Sequence, residues 1–346
     1  MKLNHIIVTL GVTCLMSVPI QADYQVNHPK RPETFFGIEL LYLKPVWTTN
    51  PAYLVTSNNG PDQIAKQVNF DYDFNMTPVF SGGIIYPNGI GFRGRYWLLN
   101  GNDSQSTTFD NSITRLMTAG PLGVILLSTP GVTPGLFDHF SFDSTLSMQT
   151  ADAEVIIDRK YDAWHILLSG GVRYAYIKQT YTVHNQGETS SINLITNHIN
   201  SLQSSQFSRG FGPTISAEAG YAIGWGGLSL YGNARNSTIF GKENENASAK
   251  EVNTMIGDVD ESVSTNHNTL FNIFELELGL DWSKKYKNNI EMDWRIGVVG
   301  QTWTNVGNSS NNDNLNDNFS IDQTGADNSS LNLGLIGFLL SGTIKF

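Results

Sequence analysis

The sequence has a single cysteine, Cys14, and few charges: Asp, Glu, Lys and Arg make up 15% of its 346 residues. One cysteine cannot build a disulfide framework or a thiolate metal site. Soluble globular chains usually carry about 25% charged residues. Beyond the N-terminus the sequence also lacks any run of about 18 uncharged apolar residues, which excludes a membrane-spanning helix. Together with 33 glycines and 11% aromatic residues, these features favour many amphipathic strands.

The N-terminus has the pattern of a secretory signal peptide. Lys2 precedes an apolar run, Ile6–Met16, and a small residue, Ala22, follows at the expected cleavage point. The run is too short for a membrane anchor, and the residues before Cys14 match a lipoprotein site poorly. Cleavage after Ala22 leaves no cysteine and 20 basic against 31 acidic residues, a net charge of −11 that argues against nucleic acid as a partner.

The rest of the chain alternates between apolar and polar residues with a period of two. Leu276, Leu278 and Leu280, for example, alternate with Glu275 and Glu277. Successive side chains of a strand point to opposite faces, so each such strand has one apolar and one hydrated face. A soluble sandwich would show the same pattern. Alternation alone therefore predicts strands but does not identify their solvent.

The spacing of the strands favours a membrane barrel. Ten strands are predicted near 34–46, 76–86, 90–99, 147–158, 163–177, 208–223, 227–240, 269–283, 289–303 and 332–346. The connections between them alternate strictly between tight turns and long polar loops. Outer-membrane barrels have short periplasmic turns and long extracellular loops. We therefore predict a signal peptide (1–22), a periplasmic segment (23–33) and an all-β, antiparallel up-and-down transmembrane barrel (34–346), with both termini in the periplasm.

Aromatic residues and the C-terminus support this prediction. Trp47, Trp97, Trp164 and Trp303 lie toward segment ends, where barrels place the aromatic girdles that contact lipid headgroups. The last strand ends on Phe346, and a terminal aromatic residue resembles the signal by which the barrel-assembly machinery recognises outer-membrane proteins. We expect that machinery, outer-membrane lipid and lipopolysaccharide as partners.

Several strand motifs resemble one family. They are Phe36–Pro45, Gly91–Tyr96, Gly171–Tyr174 and Leu230–Asn233. These look like the Legionella-type pore-forming outer membrane proteins, which are similar in character to the chlamydial major outer membrane protein. The one minor departure is Asn236, which follows Arg235 where the family pattern has glycine. The resemblance implies a pore-forming barrel in a Gram-negative outer membrane and allows a homo-oligomer.

Charged residues on the polar faces are the candidate pore lining. They are Glu39, Arg93, Arg95, Asp152, Glu154, Arg173, Glu218, Arg235, Glu275, Glu277, Asp281, Glu291, Asp293 and Arg295. Because acidic rings favour cations, they predict a porin for ions and small hydrophilic solutes with a mild cation preference. However, eight-stranded barrels are filled by their own side chains, and ten strands lie near that limit. The alternative is a closed structural or adhesive barrel that acts through its extracellular loops.

Two of the long loops differ in character. The segment 113–137, within the loop 100–146, is apolar and could constrict the lumen, dip into headgroups or bind a partner. Alternatively it forms two extra strands, giving twelve in all. The loop 304–331 is rich in Asn, Asp and Ser, which predicts flexibility. Asp313–Asp317 lacks the glycine and terminal glutamate of a calcium loop, so no metal or cofactor is predicted.

The sequence offers little for catalysis. Of the six histidines after residue 22, five lie in the N-terminal segment or predicted long loops; His165 lies inside a strand, near the periplasmic end. The chain has no Gly-x-Ser-x-Gly, His-Glu-x-x-His or phosphate-binding glycine loop. We therefore expect that the protein is not an enzyme.

Overall fold

A computed structural model describes residues 31–59, 62–108, 113–120, 123–128, 139–185, 197–224, 226–253, 259–286, 290–310 and 331–346. The predicted signal peptide and residues 23–30 of the predicted periplasmic segment lie outside these ranges. So do residues 129–137 and 311–330 of the two long loops. Within the described ranges, no helix is long and apolar enough to cross a membrane.

Ten strands close into an antiparallel barrel. The fourteen strands in chain order are β1 (Glu33–Trp47), β2 (Pro51–Asn59), β3 (Asp62–Asn69), β4 (Asn75–Ile85), β5 (Ile90–Thr108), β6 (Ile113–Gly120), β7 (Gly123–Ser128), β8 (His139–Tyr161), β9 (Trp164–Asn185), β10 (Asn197–Ala222), β11 (Leu228–Asn253), β12 (Val259–Lys285), β13 (Glu291–Thr304) and β14 (Leu333–Lys345). The ring order is β1-β14-β13-β12-β11-β10-β9-β8-β5-β4. Because β1 pairs with both β14 and β4, the wall has no free edge. The predicted ten-stranded barrel is confirmed.

The apolar segment 113–137 does not enter the barrel wall. Its described part forms β6 and β7, which join a separate four-stranded sheet in the order β3-β2-β6-β7. The barrel has no opening for them, because β5 and β8 pair continuously from Ile90–Ile157 to Thr108–His139. The segment therefore does form two short strands, but the twelve-stranded alternative is wrong.

The strands are longer than predicted mainly at one end. We call one end of the barrel the turn end, because four short connections lie there, near residues 86–89, 162–163, 223–227 and 286–290. The opposite end is the loop end. Toward the loop end, β10 and β11 reach 26 residues and β12 reaches 27. A tilted strand needs only about 9–11 residues to cross a bilayer. Much of the predicted loops 178–207 and 241–268 is thus strand, and His139, His184, His198 and His267 lie on strands rather than in loops.

The outer face of the turn-end half is apolar. Leu276, Leu278 and Leu280 of β12 are exposed, as the alternation predicts, while Glu275 and Glu277 on the opposite face are buried. Aromatic residues surround the turn end on the outside; they are Tyr86, Trp164, Tyr221, Trp282, Tyr286 and Trp294. For Trp97 and Trp303 the predicted girdle position is wrong, because both face inward and are completely buried.

Hydrogen bonds within the turn explain why a connection at the turn end can be short. In the β4–β5 connection, the Gly89 amide donates to the Tyr86 carbonyl at 2.8 Å, and the Tyr86 amide donates to the Ile90 carbonyl at 2.8 Å. Gly89 has φ of 76°, a left-handed conformation that costs glycine little and other residues more. The sequence Pro87-Asn88-Gly89 is thus suited to this turn.

Candidate functional site

All fourteen candidate residues point into the barrel. Six of them form a compact group at mid-height that we call the ion layer. Its members are Arg95, Asp152, Glu154, Arg173, Arg235 and Glu275. Each has a side chain at most 5% exposed. The layer holds three arginines and three carboxylates, so its formal charges balance.

Arg173 of β9 is the most enclosed cation of the layer. Its Nε and Nη2 donate to the two carboxylate oxygens of Asp152, on the neighbouring strand β8, at 2.6 and 2.9 Å. Its Nη1 donates to Glu275 on β12, three positions away in the ring. Bidentate arginine–carboxylate pairs are among the stronger and more specific hydrogen-bonded contacts in proteins. Arg173 therefore links strands β8 and β9 to β12 across the lumen.

Arg95 and Glu275 connect opposite walls. Arg95 lies on β5 and Glu275 on β12, which are five positions apart in a ring of ten strands. Arg95 Nη1 donates to Glu275 Oε2 at 3.2 Å. Arg235 of β11 reaches β8, three positions away in the ring, since its Nη1 donates to Glu154 and, at 3.3 Å, to Asp152. These contacts fill the middle of the lumen with paired side chains.

Three other candidates surround the ion layer. Arg93 Nε donates to Glu154 Oε2 at 2.8 Å. Glu39 and Glu277 each place a carboxylate oxygen within 4 Å of Arg95 Nη2, at 3.8 and 3.7 Å. The structure thus brings carboxylates from β1 and β12 together at one arginine of β5.

The remaining candidates form a second group nearer the turn end. Arg295 donates to Glu218 at 2.5 Å and to Asp281 at 3.1 Å. Asp293 and Glu291 lie 2.6 and 3.4 Å from the ammonium nitrogen of Lys345. A cavity of about 90 Å³ lies between this group and the ion layer.

Three ionisable residues that line this cavity are not among the fourteen candidates, although the sequence already places one of them, His165, in a strand near this end. They are Lys345, His165 and Asp158. His165 Nε2 lies 2.7 Å from Asp158 Oδ1. Lys345 has the same parity as Ser341 and Thr343, whose alternation with Leu340 and Ile344 marks the inward face of β14. That signal could have identified Lys345, but the last strand was interpreted only as an assembly signal.

On the loop-end side of the ion layer, the lumen is apolar. Leu41, Trp97, Phe271, Trp303 and Leu333 all face inward and are completely buried. Trp97 and Trp303 meet edge to face at 6.0 Å between ring centroids, and Trp303 stacks on Phe271 at 6.1 Å. Apolar side chains therefore close the lumen directly beyond the charged groups.

Loop residues fold into the barrel beyond this apolar layer. The Asn308 amide donates to the Thr49 carbonyl at 2.9 Å, and the Ser309 backbone amide donates to Gln179 Oε1 at 3.0 Å. The Tyr72 hydroxyl pairs with Ser144 Oγ at 2.6 Å, and its burial raises the pKa of the Tyr72 phenol. We call segments 48–53 and 305–310 the loop plug.

The described residues contain no group of three or more His, Cys, Asp and Glu side chains arranged to hold a metal ion.

Three solved structures with a similar overall course are distant in sequence. The outer membrane protease OmpT of Escherichia coli is 11% identical, with a TM-score of 0.41, over 92% of this chain and 97% of that one. A major outer membrane protein of Thermus thermophilus is 10% identical, with a TM-score of 0.30, over 90% and 99%. The toluene transporter TodX of Pseudomonas putida is 8% identical, with a TM-score of 0.33, over 92% and 89%. No curated protein matches the chain significantly.

One family matches nearly the entire chain, as the strand motifs predict. Its description is Legionella pneumophila major outer membrane protein precursor, and the match covers residues 28–346. The closed antiparallel barrel with an apolar outer face is the architecture that outer-membrane proteins require. The chain is therefore an outer-membrane β-barrel that belongs to the Legionella pneumophila major outer membrane protein family.

Proposed function

We propose that this barrel is closed in its resting conformation and acts as a structural or adhesive protein through the part that projects from the cell surface. The observation that carries the proposal is the contact between Arg95 and Glu275, which joins opposite walls at 3.2 Å. The apolar layer and the loop plug lie in series with it. A hydrated solute would have to displace all three.

The loop-end extensions support the surface part of the proposal. In outer-membrane barrels the turn end faces the periplasm and the loop end faces the outside. Strands β10, β11 and β12 continue well past the apolar outer face, and the sheet β3-β2-β6-β7 adds further surface there. This gives the protein a folded extracellular platform rather than loose loops.

A porin is the second candidate, and the acid excess of the lumen favours it. The fourteen inward candidates include nine carboxylates and five arginines, and Lys345 adds one further cation. An excess of acidic groups around a water-filled path would favour cations. In this version of the proposal, the ion layer and the loop plug form a gate that must open before solutes pass.

Planar-bilayer recording separates the two candidates. The unmodified protein, refolded into lipid with a salt gradient across the bilayer, is compared with Arg95→Gln combined with Glu275→Gln. Lys284→Gln is the matched control, because Lys284 lies on the outer face at the turn end and does not touch the lumen. We expect no discrete steps from the parent and the control, and only brief openings of low conductance from the double variant, because the apolar layer and the loop plug still obstruct the lumen.

Discrete, cation-preferring steps from the unmodified protein would overturn the closed barrel in favour of the porin. Steps that prefer anions would overturn both the closed barrel and the acidic selectivity.

A further inference from the structure

A basic pair lies on the outside of the barrel, where the outer face changes from apolar to polar. Arg209 of β10 and Lys242 of β11 are exposed and stand directly opposite each other in the strand register. Toward the turn end, the outward residues of these strands are apolar, such as Ile215 and Leu230. Toward the loop end, Phe207 is the last outward aromatic residue of β10, with the Arg209 guanidinium 5.8 Å from its ring centre, and the outward residues beyond it are polar, such as Gln203 and Asn244. The pair therefore lies at the level of lipid headgroups on the loop-end side.

The two cations have no acidic partner on this face. Neither Arg209 nor Lys242 forms an ion pair with any described residue, and their outward register neighbours are Tyr176 and Asn268. Lys44, an outward lysine of β1, by contrast pairs with Asp71 at 2.8 Å. Like charges directly opposite each other on adjacent strands destabilise a sheet. An anion placed between Arg209 and Lys242 would remove that repulsion.

On the turn-end side of the pair, the outer face of the wall has a groove of about 810 Å³. Arg209 and Lys242 form its rim, and Tyr174, Phe211, Phe240 and Leu270 form its apolar side. Phe211 and Phe240 are 63% and 59% exposed, and the Tyr174 and Phe211 rings lie 4.9 Å apart. An aromatic and aliphatic groove beneath two cations matches a molecule with an anionic head and hydrocarbon chains.

We propose that Arg209 and Lys242 bind a phosphate group of an outer-leaflet lipid whose acyl chains pack over Phe211, Phe240 and Leu270. The charges, the groove and the height on the wall all fit this one occupant. Because the arginine offers a planar fork of donors and the lysine a compact charge, the two can contact different oxygens of one phosphate. This inference concerns the outer wall and does not depend on whether the lumen is open.

The test is lipid binding to the folded barrel in detergent, measured by native mass spectrometry with bisphosphorylated lipid A as the probe. The variant is Arg209→Gln combined with Lys242→Gln, which removes both charges and keeps polar side chains. Lys284→Gln is the control, since it removes an outward charge at the opposite end. Each basic group near a lipid surface contributes roughly a fivefold gain in binding, so the double variant is expected to bind about 30-fold more weakly.

Four outcomes would overturn the proposal. The double variant could bind lipid A as tightly as the parent, or Lys284→Gln could lose as much. Dephosphorylated lipid A could bind the parent as tightly as the phosphorylated form, which would leave only an apolar groove. Inorganic phosphate at the same concentration could displace lipid A, which would make the ligand a free anion. If the double variant does not fold, either single variant carries the same test with an expected loss of about fivefold.

Discussion

Strand β8 reverses its polarity between its two halves. In the turn-end half, Val155 and Ile157 face out while Asp152 and Glu154 are buried inside. In the loop-end half, Phe140, Phe142 and Met148 are buried inside and Thr145 is exposed outside. One strand thus follows two opposite rules.

The reversal arises because lipid surrounds the turn-end half of the wall and water surrounds the loop-end half. In lipid, the outward face must be apolar, and charged groups can remain only inside, where they pair. In water, the hydrophobic effect drives apolar side chains away from the outer surface and into the barrel. The turn-end half is built like a membrane barrel, and the loop-end half is built like a soluble protein with an apolar core.

Removing a charge inside the turn-end half should have the largest effect. Arg173→Met leaves Asp152 and Glu275 buried without their best partner, and breaking a buried ion pair in this way costs about 3–5 kcal/mol. Urea unfolding in lipid vesicles measures the change. Lys284→Met, an exposed change, should stay within about 0.5 kcal/mol. Equal unfolding midpoints for the two variants would show that the ion layer is not sealed from water.

The same substitution on the outer face should have different effects in the two halves. Leu278→Arg places a charge in lipid and should cost about 2–4 kcal/mol near the bilayer midplane. Thr145→Arg places the same side chain in water on the loop-end half and should cost almost nothing. Glu277→Gln, on the inward face beside Leu278, keeps a polar side chain in the lumen and should leave the refolding yield unchanged. Equal refolding yields for Leu278→Arg and the parent in vesicles would contradict the assigned facing.

A smaller effect is expected where the loop plug meets the wall. The Tyr181 hydroxyl, buried in the loop-end half, donates to the Ala52 carbonyl at 2.7 Å. Tyr181→Phe removes that bond and should cost about 1 kcal/mol. Hydrogen exchange should then increase in segment 48–53 and stay unchanged in β12. Unchanged exchange in segment 48–53 would mean that this bond does not hold the plug.

The alternation of the sequence identifies the strands and the face of each residue, but not the solvent beyond that face. Glu275 and Leu278 were placed correctly because their half of the wall fits the lipid pattern. Trp97 and Trp303 were misplaced because an aromatic residue near a strand end fits both a girdle and an apolar core. The sequence predicts loops at 197–207 and 241–253, since most of the outward residues there are polar and no continuous apolar outer face marks these extensions.

The contacts between side chains inside the lumen could not be predicted from the sequence. Charge and parity place Arg95 and Glu275 inside the barrel, but only the ring order makes them face each other across it. The same holds for Asn308, whose polar surroundings predict a solvated loop, although it bonds to Thr49 and Asn50 inside the wall.

A double-mutant cycle on Arg95 and Glu275 tests the closed lumen most directly. The free energy of unfolding in vesicles is measured for the parent, Arg95→Gln, Glu275→Gln and the double variant. Residues bonded across the lumen should show a coupling energy of about 0.5–3 kcal/mol. A coupling energy near zero would mean that the opposite walls are not joined and would contradict the closed barrel.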